Sequence, residues 1–201
     1  MKSHNKRLAL FDFDGTITSK DTFIDFIIYI QGYPKYVMGI LQNIHYLIAY
    51  KAGLYPNDKA KEKVLSYFFK GMKSDKFKEL AARYSKEQLP KIIKPSAMEK
   101  VKWHLSMNHE VVIVSASMEC WLKEWCVAHN VELISTRLEV RDGIITGKLA
   151  TKNCHGQEKV NRIKKHYNLG MYEYIYAYGD SKGDREMLGI ADERGDKSFS
   201  L

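Results

Sequence analysis

Leu8-Ala9-Leu10-Phe11-Asp12-Phe13-Asp14-Gly15-Thr16 is the stretch whose reading decides the fold. The unbroken apolar run from Leu8 to Phe11 reads as a strand covered on both faces, the kind found inside a parallel sheet. It ends abruptly in two acids two positions apart, and the carboxyl ends of such strands are where open α/β sheets build ligand sites. Side chains alternate along a strand, so Asp12 and Asp14 start out on one side and Phe13 on the other. Gly15 permits a tight turn, and Thr16 adds a hydroxyl. Two crowded carboxylates repel each other unless a proton or a cation relieves them. Magnesium suits, being a hard ion that takes oxygen ligands and one or two carboxylates. The same letters also read as an ordinary acidic turn, since Asp and Gly are common in turns. The rest of the chain decides between the two.

Downstream, Asp21 to about Lys51 is rich in Ile, Phe and Tyr with polar residues at intervals, a helical pattern broken near Gly32-Tyr33-Pro34. Asn57-Asp58 can cap a second helical stretch to about Gly71, and Ser74-Asp75 a third to about Ser85. Residues 19–90 thus read as all-helical, and they hold eight of the thirteen tyrosines and 12 basic against 7 acidic residues. After Pro95 the rhythm changes. Ser96 to Met107 reads as a helix, Glu110 to Val114 as a strand, Met118 to His129 as a helix and Val131 to Ser135 as a strand. Leu138 to Leu149 reads as a hairpin around Asp142-Gly143. Gln157 to Tyr167 is helical, Tyr174 to Tyr178 a strand and Asp184 to Ile190 a short helix. Alternating strands and helices imply an α/β fold, a doubly wound parallel sheet covered on both faces. The expected organisation is a core of residues 1–18 and 91–201, with an all-helical insertion, 19–90, after the first strand.

Composition narrows the function classes. The 201 residues allow one domain with an insertion or two small ones. Cys120, Cys126 and Cys154 are odd in number and lack CxxC spacing, which points to reduced thiols and a cytoplasmic setting. Met1 to Arg7 is basic but leads into a strand, so no signal peptide is read there. No run reaches the roughly 18 apolar residues of a membrane-spanning helix. Lys and Arg outnumber Asp and Glu by 32 to 24, a net charge of +8. That balance favours anionic partners. The charges are scattered, with no Lys/Arg block, so nucleic-acid binding is not expected.

Three further segments place polar residues just past a strand or at a helix start. Val111-Val112-Ile113-Val114 delivers Ser115, then Ala116 and Ser117; a hydroxyl and free N–H groups there suit a phosphate oxygen, although Ser is also a common helix cap. Gly156-Gln157-Glu158-Lys159 opens a helix, and Lys159 can bring a positive charge to the same anion, with Lys152 as the alternative. Tyr174-Ile175-Tyr176-Ala177-Tyr178 leads into Gly179-Asp180-Ser181-Lys182-Gly183-Asp184, a second strand ending in an acid with another acid four residues on. Asp180 can share a magnesium with Asp12. Asp184 can bind it through a water or hold Lys159.

Asp12-Phe13-Asp14-Gly15-Thr16, Ser115, Lys159 and Gly179 to Asp184, in this order and spacing, resemble the haloacid dehalogenase superfamily of hydrolases, and the helical insertion resembles the cap of its phosphoserine phosphatase-like branch. The resemblance implies a Mg²⁺-dependent phosphatase acting on a small phosphomonoester through an aspartyl-phosphate. It implies Asp12 as nucleophile and Asp14 as acid and base, an acid that dehalogenase chemistry does not need. It implies metal ligation by Asp12, Asp180 and the main-chain carbonyl of Asp14. The transferring oxygens fall to Ser115, Lys159 and the backbone around Phe13, Gly15, Thr16 and Ala116, supported by Gly179, Ser181 and Asp184.

Asp21 matches the acid that grips the substrate in phosphoserine phosphatases, but the matching arginine is not evident. Lys59, Lys61 and Lys63 stand in that region, and Arg83 is the insertion's sole arginine. The tract from Asn153 to Val160 is closer to a neighbouring branch that includes a phosphatidylglycerophosphate phosphatase. Hydrolysis of a lipid headgroup at a membrane surface, a phosphomutase and a non-catalytic binding protein on the same fold are the other readings.

Overall fold

A computed structural model describes residues 6–195 of the chain. Residues 1–5, where the reading of a signal-free basic start falls, and 196–201, the end of the expected core, lie outside the described residues.

The opening stretch forms β1 (Arg7–Phe11), the middle strand of a five-stranded sheet. β2 (Glu110–Met118) and then β3 (Glu132–Thr136) lie on one side of it. On the other are β6 (Tyr174–Tyr178) and the short edge strand β7 (Glu193–Gly195). Every pairing in this sheet is parallel. β1 lacks polar residues from Leu8 onward because alternate side chains enter two cores. Ala9 and Phe11 face one, with Val111, Ile113 and Tyr176; Leu8 and Leu10 face the other, with Val112, Val114 and Ala177. Helices cover both faces. α5 (Pro95–Ser106) and α6 (Glu119–Ala128) supply Val101 and Trp121 to the first core, while α7 (Gln157–His166) and α8 (Arg185–Gly189) supply Ile163 and Met187 to the second. The chain leaves β1 toward β2 and returns to its other side as β6, so a switch point falls at β1, where the carboxyl ends of flanking strands diverge.

Between β1 and α5 lie α1 (Thr22–Gln31), α2 (Tyr33–Lys51), α3 (Asn57–Phe69) and α4 (Ser74–Glu87), then a short 3-10 turn at Leu89–Ile92. β4 (Leu138–Arg141) and β5 (Ile144–Leu149) form the expected antiparallel hairpin beside α3. Two expected caps are corrected. α3 is preceded by Pro56, and the Asn57 side chain accepts from Asn153. α4 is preceded by Lys73, and the Ser74 backbone N–H donates to Gly143 at 2.7 Å. At Asn57 a tertiary partner thus takes the side-chain oxygen that a local cap would have used. β2 also runs past its expected end at Val114, with its pairing to β3 shifted between Ser115 and Met118. No helix among the described residues is long and apolar enough to cross a membrane.

Candidate active site

The two acids after β1 sit in contrasting surroundings. Asp12 is 7% exposed, and its Oδ1 accepts from Lys159 Nζ at 2.5 Å. Lys159 comes from the first turn of α7 and is itself buried. It also donates to Asp184 Oδ1 at 2.6 Å and to the Val114 carbonyl at 2.7 Å. Of the two lysines considered for this place, Lys159 therefore reaches Asp12, whereas Lys152 is exposed and lends only its carbonyl, to Arg162. Asp184 is locked in turn by Ser181, whose N–H and Oγ donate to Oδ2 at 3.0 and 2.6 Å.

Asp14 turns toward the helical insertion. Its Oδ1 accepts from the Thr22 backbone N–H at the start of α1, at 2.6 Å. Its Oδ2 accepts from Ser117 Oγ at 2.5 Å, and from Ser115 Oγ at 3.4 Å. Ser117 Oγ and Thr22 Oγ1 lie 2.8 Å apart, and Trp121 Nε1 donates to Thr22 at 3.2 Å. Asp21 caps α1 by accepting from Phe23 and Ile24. Phe13 points the other way, edge-on to Trp125.

Gly15 has φ +78°, which glycine adopts freely, and a Cβ there would lie 2.5 Å from Asp180 Oδ2. That close approach brings β1 and the loop after β6 together. Thr16 Oγ1 bridges them, 3.4 Å from Asp12 Oδ2 and 3.3 Å from Asp180 Oδ1. One carboxylate oxygen each of Asp12, Asp180 and Asp184 lies within 4.8 Å of the others, and Asp180 is exposed. Burial pushes Asp12 up to about 7 in spite of Lys159, with Asp184 and Asp14 acting in the same direction. Burial also works against the charges of Lys159 and Asp184. The Asp12 and Asp184 carboxylates nevertheless hold the ammonium above its ordinary range, and Lys159 with Ser181 holds Asp184 below its own. This donor set is all hard oxygen, with more negative charge than Lys159 balances, and it fits a divalent cation such as Mg²⁺.

A cavity of about 580 Å³ opens beside these groups. It gathers Asp12, Asp14, Asp21, Ala116, Lys159, Ser181 and Asp184; Phe13, Gly15, Thr16, Ser115, Gly179 and Asp180 lie outside its lining. Lys94 was not singled out in the sequence, and Ser117 and Lys61 were named there without the contacts they make. Ser117 carried a signal, lying two positions beyond Ser115 and so on the same strand face. Lys61 of α3 lines the cavity and donates to the Ala116 carbonyl at 2.7 Å; Lys94 donates to the Gly15 carbonyl. Neither contact leaves a trace in local sequence.

The family model for haloacid dehalogenase-like hydrolases matches residues 9–189. Protein CicA of Caulobacter vibrioides is 33% identical over 200 residues, covering 98% of this chain and 88% of that protein. A protein of unknown function from Bordetella pertussis Tohama I superposes with a TM-score of 0.82 at 23% identity, covering 94% of this chain and 89% of that one. A structure described as a phospho-aspartyl intermediate analogue of phosphoserine phosphatase superposes with a TM-score of 0.61 at 22% identity, covering 94% of this chain and 85% of that one.

Proposed function

The chain belongs to the haloacid dehalogenase-like hydrolases, and from that premise we propose that it is a Mg²⁺-dependent phosphatase hydrolysing a phosphomonoester by way of a phosphoryl group carried on Asp12. The observation that supports this reading best is the unequal placement of the two acids. Asp12 is buried against Lys159 inside a carboxylate cluster, while Asp14 is held by Ser117 and Thr22 beside the cavity.

In this reading an Asp12 oxygen attacks phosphorus in line as the bond to the leaving group breaks, and Asp14 gives the departing alkoxide oxygen its proton. Asp14, now a carboxylate, takes a proton from water; the water oxygen attacks phosphorus and frees Asp12 and inorganic phosphate. Mg²⁺ bound by Asp12, Asp180 and the Asp14 carbonyl, with Asp184 alongside, would screen the approach of two anions. Lys159 fixes Asp12. Ser115 and the N–H groups around Phe13, Gly15, Thr16 and Ala116 take the phosphoryl oxygens, supported by Gly179 and Ser181. The helices of residues 19–90 act as a cap domain that excludes water and selects the substrate.

Phosphoserine itself is poorly served. Arg83 lies over the Tyr29 ring, 5.7 Å from its centroid, and does not line the cavity, where Lys61 stands near Asp21 without a guanidinium's bidentate grip. The substrate we propose is another phosphomonoester, met in the cytoplasm, with no nucleic-acid partner.

The test is phosphate release from p-nitrophenyl phosphate. Turnover should require Mg²⁺, stop on addition of EDTA, and fall by at least about 10³-fold in Asp12→Asn. Full activity in Asp12→Asn, or no turnover of any phosphomonoester by the native chain with Mg²⁺, would overturn the proposal.

A further inference from the structure

The cavity that begins at Asp12 extends well beyond the room a phosphate group needs. Its 580 Å³ lies within the range of about 300–1,000 Å³ typical of sites for whole small molecules. Its lining is of two chemical kinds. The reacting acids Asp12 and Asp14 lie among polar groups that include Asp21, Lys61, His155, Lys159 and Asp184; the apolar lining comes mainly from the insertion, with Ile24 and Ile27 of α1 and Tyr36, Ile40 and Leu47 of α2.

The α2 residues are spaced by four and seven positions, close to whole helical turns, so they form one face. Lys51 lines the cavity on the same face, and the helix rises roughly 22 Å from Tyr36 to Lys51. Ile24 and Tyr50 line the cavity yet are 39% and 36% exposed, so the apolar wall reaches the surface. A small zwitterion held at Asp12 would leave this wall wet. A hydrocarbon tail attached to the phosphate would cover it.

We propose that the substrates are amphiphilic phosphomonoesters, with the phosphate at Asp12 and an alkyl tail lying along α2. This rests on the phosphatase reading and sharpens it. The occupant of the groove is the substrate's own tail because a single cavity joins the groove to the reacting acids. Lys61, 5.1 Å from the Phe23 ring centroid, sets its ammonium against the apolar lining.

The experiment is a series of n-alkyl phosphates from ethyl to decyl, each below its micellar concentration, with the native chain and Mg²⁺. kcat/KM should rise about fourfold per methylene until the groove is filled, then level off. Leu47→Asp should flatten that rise, and Ile40→Asn should do so as well, which covers the case of one variant failing to fold. The same single-chain glycerol phosphate lipid, offered dissolved or in phosphatidylglycerol vesicles, separates a soluble amphiphile from a membrane lipid as the source. Hydrolysis of every member with no dependence on chain length would overturn this inference and leave the phosphatase reading standing. A flat series together with a dimer in sedimentation would assign the groove to a second copy of the chain. Hydrolysis of none while p-nitrophenyl phosphate is still turned over would overturn this inference alone; loss of that turnover as well would overturn both readings.

Discussion

At Asp12 burial and charge pull in opposite directions. The carboxyl is taken out of water with two other acids nearby, and the Lys159 ammonium offsets them. Removing one partner from such a buried pair leaves an uncompensated charge, which costs far more than the pair contributes when intact. Lys159 is thus as much a condition for placing Asp12 as β1 is. A second buried group makes the fold's stability sensitive to acid. His104 is fully buried, with Nδ1 2.8 Å from His109 Nδ1 and Nε2 3.0 Å from the Tyr178 hydroxyl, and the Tyr176 and Phe11 rings pack against it. Burial, with help from His109 and Lys100, pushes His104 down to about 3. The unfolded chain therefore takes up this proton first. The stability that neutral His104 provides is intact above about pH 6.5 and is lost as pH falls from there toward 3. The limiting slope is about 1.4 kcal/mol per pH unit. Denaturant melts at pH 7, 6 and 5 should show a shallower loss in His104→Gln than in the native chain. Equal slopes would remove His104 as the cause.

At the scale of elements, legibility followed the range of the forces involved. β1 and β6 declared themselves because both of their faces are covered, which demands an unbroken apolar run. The acids after them were legible because strand ends in such a sheet converge on one site. The starts of α3 and α4 were legible but their caps were not: Asn57 and Ser74 are the first helical residues, and the Asn57 side chain accepts from Asn153 across the fold. β7 was missed because three residues, Glu193–Gly195, carry no period to read. Which of Lys59, Lys61 and Lys63 reaches the site was not legible, because the partner of Lys61, the Ala116 carbonyl, lies 55 positions away. Gly39 illustrates the same limit. In α2 it looks like a weak point, since alanine is favoured over glycine in a helix by about 1 kcal/mol. A Cβ there, however, would stand 2.2 Å from Phe68 and 2.7 Å from Tyr67 of α3. Overpacking costs typically about 1–3 kcal/mol, so it outweighs the propensity gain. Gly39→Ala should lower the denaturant midpoint, and a raised midpoint would show that α2 and α3 do not pack this closely.

Across the whole molecule, the helical insertion and the sheet share one core. Phe26 of α1 stacks on Trp121 of α6, with centroids 4.5 Å apart, and meets Phe69, Phe77 and Tyr84 from α3 and α4. Polar ties run the same way: Ser66 to the Gly147 carbonyl, Glu62 to the Leu149 N–H, and Thr22 to Asp14. The elements that would choose the substrate are therefore fastened to the acid that would handle its protons. This coupling makes Asp14 the place to test the account. An aryl phosphate has a leaving group that needs no proton, so Asp14→Asn should still let Asp12 take the phosphoryl group while slowing its hydrolysis by at least about a hundredfold. Acid quench and peptide mass analysis of Asp14→Asn turning over p-nitrophenyl phosphate should find one phosphoryl group per chain, on the peptide that carries Asp12. A phosphoryl group on another residue, or continued turnover with Asp12 never labelled, would contradict it.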